Sequence, residues 1–360
     1  MISFDTTKKY VLIRHPWGKA VEDGGTIPIT FSDSEDELAS FCRGMGWAYN
    51  NIGPDNDGMY SIAIETREFV KEMNSYLNDE YTKRSLERIY RYQKNQPIDD
   101  GLNINNLNVG DEFTIPHDVY GDIPFIVIGK NHDAPNTSTI LSKEIIELLP
   151  FDAKEANNSS ANRKSYGNNR YLYGNLLQWM NSDAEAGQWY TAQHPADASP
   201  TSDNVWNNYN PYADKAGFLH GFSDDFKRQL VTVNKTTAKN TKTDGGGSET
   251  VSSKAFLLST TEVGLANENN IAEGTIYEYF SKNNTDAQRV AYPSTYCLNN
   301  AGGYTNTNFA EGKGWHYWLR TPDSGTSYRE RLVHTSGALT SANAYAGGIG
   351  LRVGLTITNQ

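Results

Sequence analysis

Trp315, Tyr317, Trp318 and Arg320 fall within one short segment, GWHYWLRTPDSG at 314–325. Indole and phenol rings offer flat apolar faces that stack on sugar rings, and a guanidinium beside an indole adds a cation–π contact. Read as a strand, the segment sends Trp315, Tyr317 and Leu319 to one face and His316, Trp318 and Arg320 to the other. The first set fills a core. The second set, with Trp318 beside Arg320, is the candidate for a ligand-facing patch. Pro322 and the Asp-Ser-Gly that follows end the strand.

The other reactive side chains form no catalytic signature. H-E-x-x-H, G-x-S-x-G, a Walker loop and a dinucleotide fingerprint are all missing. The seven histidines show no metal-ligand spacing on a shared helix face, so each reads as a surface or packing residue. Cys42 and Cys297 lie far apart, which gives neither a disulfide framework nor a cysteine metal site. Asp99–Asp100 and Asp224–Asp225 read as helix caps or solvated charge. Asn56–Gly58 resembles the start of a calcium loop but lacks the distal bidentate Glu, so it reads as a turn. The expectation is a protein without catalytic residues, metal or cofactor: not an enzyme.

The positioning elements follow from composition and period. The 360-residue chain carries 22 Tyr and 7 Trp against 37% hydrophobic residues overall, which predicts a ring-rich core wrapped in long polar loops. Net charge is −11, which argues against nucleic acid as a partner. Neither a secretory leader nor a membrane helix is expected, and cysteine usage suits folding in a reducing cytoplasm.

Residues 1–100 read as a small α+β domain. Strands are expected at KKYVLIRHPWG and GGTIPITF, then a helix at SDSEDELASFCRGMGW with Ser32 and Glu35 as a capping box and Gly44 and Gly46 at its end. Two further helices are expected at 67–79 and 80–96, the second stopped by Pro97, before a linker at 98–108.

Beyond it, VGDEFTIP and IPFIVIGKN predict a meander with its turn at 118–122, and TSTILSKEIIELLPFD a strand entering a helical turn. Helices are expected at NNRYLYGNLLQWMNSD and at 217–231. Long polar insertions fill 182–215, 237–253 and 266–313, the middle one a flexible hairpin tip. RLVHTSGALTSANAY predicts a hairpin around Ser336–Gly337. In GIGLRVGLTIT, Ile349, Leu351, Val353, Leu355 and Ile357 alternate with smaller or polar residues, which predicts a closing strand with one buried face.

Six motifs in order carry a resemblance: TILS at 139–142, LLQWMN at 176–181, FLLS at 256–259, YWLRTP at 317–322, LVHTSG at 332–337 and GLRVGLTI at 350–357. They resemble the LLS, WLN, WLRSP and G-V-R-P-A-L-x-I motifs of an uncharacterised domain family common in bacteriophages and prophages of Gram-positive bacteria and in some of their surface proteins. The resemblance covers about 104–360. Met180 replaces Leu, Thr321 replaces Ser, and Val353-Gly354 replaces Pro-Ala.

The family is similar to the C-type-lectin-like fold, shared by formylglycine-generating enzymes and phage receptor-binding proteins. The resemblance thus implies an α+β chain: a loop-rich C-type-lectin-like domain at 104–360, an antiparallel sheet with two short helices, preceded by an N-terminal docking domain at 1–100. No active site carries over, because Cys297 has no close cysteine partner in sequence and the calcium triplets of sugar-binding lectins are missing.

The implied function is a virion structural protein displayed on the particle surface, as a capsid or tail decoration or as a tail or baseplate adhesin. Its partners would be other virion proteins, further copies of itself and a host cell-surface glycan, with no nucleic acid and no membrane insertion. A bacterial surface or secreted glycan-binding protein is the alternative, and a formylglycine-type or glycan-active enzyme a third. Candidate contacts are Trp189, Tyr190, Trp206, Tyr209, Tyr212, Tyr304, Trp318, Arg320 and Tyr345. Residues 104–360 expressed alone are expected to fold, with a near-ultraviolet circular dichroism spectrum from fixed rings. A soluble product lacking that spectrum would place the domain boundary elsewhere.

Overall fold

The computed structural model of the protein describes residues 8–16, 27–50, 54–56, 58–66 and 107–358. The chain divides into two compact units, Met1–Gly101 and Leu102–Gln360. The helices expected at 67–79 and 80–96, and most of the linker at 98–108, lie outside the described residues.

In the first unit, β1 (Tyr10–Pro16) pairs antiparallel with both β2 (Ile27–Ser32) and β3 (Met59–Glu65). The helix Glu35–Met45 lays Leu38 and Cys42 against Leu12 and Ile29. Gly46 closes it at φ +70°, a left-handed conformation that glycine adopts without cost. The expected Ser32–Glu35 cap is displaced: Ser34 holds the cap position, and the Ser32 hydroxyl donates to Glu37 instead. At the turn around Asn56, Gly58 N–H donates to the Asp55 carbonyl at 3.0 Å. The Asp55 carboxylate meets the buried Arg14 at 2.8 Å.

The second unit holds two five-stranded sheets and a hairpin. Its strands, in chain order, are β4 (Glu112–His117), β5 (Gly121–Lys130), β6 (Thr137–Ser142), β7 (Glu147–Leu148), β8 (Val233–Ala238), β9 (Ser248–Ser253), β10 (Ala255–Phe256), β11 (Tyr317–Pro322), β12 (Arg329–Val333), β13 (Leu339–Asn343), β14 (Gly350–Leu351) and β15 (Gly354–Thr358). One sheet runs β10-β15-β6-β5-β4 and the other β13-β12-β11-β14-β7, while β8 and β9 form the hairpin. With its short helices this is an α+β, sheet-rich unit.

Two neighbouring segments cross between the sheets together. β6 leads into β7, and β14 leads into β15 beside it. Hydrogen bonds continue across the gap: Ser142 N–H to Val353 O at 2.9 Å and Ile146 N–H to Leu351 O at 3.0 Å. After a bend at 143–144, residues 145–148 are therefore extended, not the helical turn their apolar spacing suggested, because 146–149 pair with 349–351 near the end of the chain.

The last segment is likewise two strands in two sheets, with both faces buried. The glycines opposite Leu351 and Leu355 face a second packed layer, not solvent. A Cβ on Gly350 would stand 2.5 Å from Ile145 Cγ2, and one on Gly354 would stand 2.7 Å from Phe256 Cε2.

The expected helix across 168–183 breaks at Gly174 (ψ 130°) into a 3-10 turn, Tyr171–Tyr173, and a helix, Asn175–Met180. A side chain at Gly174 would crowd the Phe151 ring at 3.2 Å. Residues 217–231 split in the same way, into Phe218–Gly221 and a helix Asp224–Gln229 capped by Ser223. The tip between β8 and β9, expected to be flexible, is pinned to the body: Asn240 Nδ2 donates to Asn169 at 2.8 Å, and Asp244 meets Arg163 at 2.6 Å.

Strand β11 lies between two apolar clusters. Tyr317 and Leu319 enter one, with Phe256, Tyr277 and Val333. Trp318 enters the other, with Phe151, Trp179 and Leu351. Arg320 is fully buried and donates to the Glu262 carboxylate at 2.5 and 2.9 Å, to Leu257 O at 2.8 Å and to Glu273 O at 3.0 Å. Lys235, also buried, reaches Asp133 at 2.5 Å and Glu262 at 3.2 Å.

Burial works to raise the Glu262 carboxyl, but Arg320 and Lys235 outweigh it and hold the group below the usual carboxylate range. Glu330 is the opposite case. It is fully buried, and neither carboxylate oxygen has a hydrogen-bond partner among the described residues. Burial, reinforced by the charge of Glu273, pushes its carboxyl well above the usual range.

The same substitution should therefore act in opposite directions at the two glutamates. Glu262→Gln removes the charge that Arg320 and Lys235 require and should cost about 3–5 kcal/mol. Glu330→Gln removes an uncompensated buried acid and should stabilise. Because the folded-state carboxyl of Glu330 titrates above its ordinary 4.5, its stabilising contribution is lost as pH rises from that value, so the gain from Glu330→Gln should be larger at pH 8 than at pH 5. Urea unfolding of both variants at the two pH values checks this. A loss of stability in Glu330→Gln at pH 8 would contradict it.

Candidate functional site

The nine candidate contacts separate by burial. Trp189, Tyr212, Trp318 and Arg320 are interior residues. Trp189 stacks flat on Tyr212, with ring centroids 5.3 Å apart, and donates from Nε1 to Tyr212 O at 3.0 Å. Trp318 Nε1 donates to Leu149 O at 2.7 Å. The Trp318–Arg320 patch expected at the surface is thus corrected. Both strand faces are covered because a second core cluster packs where solvent was expected. Tyr190 is half-buried, edge-on to Trp189.

The structure brings Trp206, Tyr209 and Tyr304 together, with Tyr345 close by. Trp206 is 39% exposed. Its ring meets Tyr209 edge-on at 5.6 Å, and Tyr209 meets Tyr304 edge-on at 5.4 Å. Tyr304 continues to Phe309 at 6.2 Å and to the buried Trp315 at 6.1 Å. Trp206 N–H donates to Tyr345 O at 3.0 Å, and the Tyr345 ring contacts Tyr166, which contacts Tyr328. Lys154 Nζ lies 5.6 Å from the Tyr345 ring centroid. The result is a ridge of partly exposed rings on a buried tryptophan base.

Three loops build this ridge. Residues 206–210 turn tightly because Asn207, Asn208 and Asn210 take left-handed backbone angles (φ 50°, 57° and 52°), which asparagine tolerates best among residues with a side chain. Asn210 Nδ2 then donates to Gly347 O at 2.6 Å. The second loop presses Gly302 onto Asn210, where a Cβ would stand 1.9 Å from Oδ1. The third passes Gly347 and Gly348 beneath Tyr209 and Tyr304, where Cβ atoms would come within 2.1 Å of Tyr209 O and 2.5 Å of Tyr304 Cε2. Exposed Asn207 and Asn208 flank Trp206 and supply amide donors and acceptors beside the rings.

One His/Asp/Glu group converges among the described residues: Glu155, His194 and Asp197. Sequence reasoning set the histidines aside because no local spacing marked them. The available signal was His194-Pro-Ala-Asp197, a pair three residues apart. Its third member, Glu155, is nearly forty residues distant and invisible to spacing. Tyr166, Tyr328 and Phe309 were also missed as members of the aromatic surface, since ring density alone does not say which rings meet.

Residues 136–359 match the family described as Domain of unknown function (DUF6273). The chain belongs to this family. All six sequence motifs, from TILS at 139–142 to GLRVGLTI at 350–357, lie within the DUF6273 span. No curated protein matches the chain, and no solved structure does.

The interlocking of the DUF6273 loops predicts that Gly347→Ala, which drives a methyl group into the Tyr209 carbonyl, should destabilise by about 1–3 kcal/mol. It should also alter the near-ultraviolet circular dichroism of the tyrosines. Thermal unfolding and that spectrum check it. An unchanged spectrum and melting temperature would mean that the loops are not locked together.

Proposed function

We propose that this chain is a bacteriophage virion structural protein displayed on the particle surface, and that Trp206, Tyr209 and Tyr304 contact a host cell-surface glycan. In this reading the Met1–Gly101 unit docks onto other virion proteins. The Leu102–Gln360 unit, of C-type-lectin-like type, faces outward in multiple copies. The protein works as a binder, without catalysis.

The observation that carries the reading is the ridge. The rings meet edge-on, which leaves the exposed part of Trp206 for the C–H surface of a pyranose, and rigid tyrosine and tryptophan side chains lose little entropy on binding. The adjacent asparagine amides match sugar hydroxyls. Support for the fold type comes from the curled sheets, short helices and long ordered loops. Support for the phage setting comes from the ordered motifs. The net charge of −11 favours solubility and self-repulsion at high copy number.

Immunogold electron microscopy with an antibody to the chain, on lysate of the producing strain, tests the setting. Label at a tail tip or baseplate is expected, and particles without label would overturn it. A pull-down with cell-wall polysaccharide from the host strain tests the ridge. Full-length protein should bind, and Trp206→Ala should lose at least about tenfold in affinity, as central aromatic contacts do. Equal binding by the variant would remove the ridge from the contact.

A further inference from the structure

Glu155, His194 and Asp197 come from two segments that the fold brings together, and one ligand atom from each lies within 4.8 Å of the others. His194 Nε2 is 2.7 Å from Glu155 Oε1. That nitrogen is buried, yet it makes no hydrogen bond of acceptable geometry. With the ring neutral, a nitrogen so placed can share a cation with the carboxylate; with the ring protonated, it pairs with the carboxylate directly.

The carboxylates are held from behind by neutral amides. Glu155 Oε1 accepts from Asn168 Nδ2 at 3.0 Å, and Oε2 accepts from Asn158 Nδ2. Asp197 Oδ1 accepts from Asn175 Nδ2 at 3.2 Å, and Oδ2 accepts from Gln193 N–H at 2.7 Å. The fully buried Asp152 in turn accepts the backbone N–H groups of Asn168 and Asn175 at 2.9 and 3.1 Å, fixing the residues that orient the ligands. Such outer partners are how metal ligands are aimed.

Charge points the same way. Asp152, Glu155 and Asp197 put three carboxyl groups in one place, joined through Asn168 and Asn175, each of which donates its backbone N–H to Asp152 and its side-chain amide to Glu155 or Asp197. The nearby Arg163 turns its guanidinium to Asp244 at 2.6 Å and Ser327 O at 3.0 Å.

We propose that Glu155, His194 and Asp197 bind a divalent first-row transition-metal ion, with Zn2+ as the representative. One imidazole and two carboxylates suit such an ion better than Mg2+ or Ca2+, which take oxygen ligands. A tetrahedral Zn2+ site has ligand atoms roughly 3.3 Å apart at bonds of about 2.0 Å. His194 and Glu155 must then part slightly and Asp197 must close in, movements within reach of the two half-buried side chains. Three protein ligands leave a position for water. The ion would staple segment 152–158 to the loop that continues through Asn204, whose carbonyl already accepts from Lys154 N–H at 2.9 Å, into Trp206. The site stands independently of the glycan reading.

The test uses the full chain, stripped with EDTA and desalted, titrated calorimetrically with ZnCl2, then with MgCl2 and CaCl2. Saturable one-to-one Zn2+ binding is expected, with no comparable Mg2+ or Ca2+ binding. At a hundredfold excess over Kd, Zn2+ should raise the melting temperature by roughly 5–10 °C. His194→Ala and Asp197→Asn, checked for folding by circular dichroism, should each lose at least about tenfold in affinity. His334→Ala, which alters the half-buried histidine beside His316, should bind as wild type. Absence of saturable heat would overturn the proposal. So would unchanged binding by both site variants, which would place the Zn2+ on other surface histidines.

Discussion

A guanidinium can lie in a protein interior when its donors are met and its charge is balanced. Arg320 meets that condition through groups far apart in sequence: Thr236 O, Leu257 O, the Glu262 carboxylate and Glu273 O. The requirement forces β8, the segment after β10 and the start of the 266–313 insertion to converge on β11. Lys235, Asp133 and Tyr277 extend the same network toward β5 and β6, with Tyr277 OH donating to Asp133 at 2.8 Å. The long polar insertions become walls of a second core because a buried charge needs them. The loops that carry the aromatic ridge stand on this frame, through Trp315 beneath Tyr304 and the Gly347–Gly350 run that enters β14.

Local period was legible in the sequence, and long-range partnership was not. The alternation in YWLRTP assigned Tyr317 and Leu319 to one side and Trp318 to the other, and the two core clusters divide these residues in that way. Period cannot say what covers each face, so Trp318 and Arg320 read as surface when both are interior. The hairpin about Ser336–Gly337 and the meander across 118–122 depend on adjacent residues and were readable. The extended path of 145–148 depends on pairing with 349–351 at the far end of the chain and was not. Gly174, Gly350 and Gly354 are consequences of close packing against Phe151, Ile145 and Phe256, contacts that no local pattern announces.

The same distinction explains the candidate sites. Trp206, Tyr209 and Tyr304 were picked as rings in polar loops, and the left-handed asparagines and crowded glycines turn that list into a surface. Glu155, His194 and Asp197 were not picked, because their convergence rests on Asn158, Asn168 and Asn175, amides that in a sequence look like ordinary loop residues. Asparagine thus serves twice here: it bends the backbone under the rings and it aims the carboxylates beside them.

The ridge loops, tied by backbone hydrogen bonds and close-packed glycines, should be as ordered as the strands beneath them. Hydrogen–deuterium exchange on the intact chain tests it most directly, by comparing amides of 204–210 and 344–350 with those of β5, β6 and β15. Trp206 and Tyr209, whose N–H groups donate within the loops, should exchange slowly, on a timescale approaching that of the strands. Exchange of 204–210 at the rate of an unstructured peptide, with the strands still protected, would contradict it.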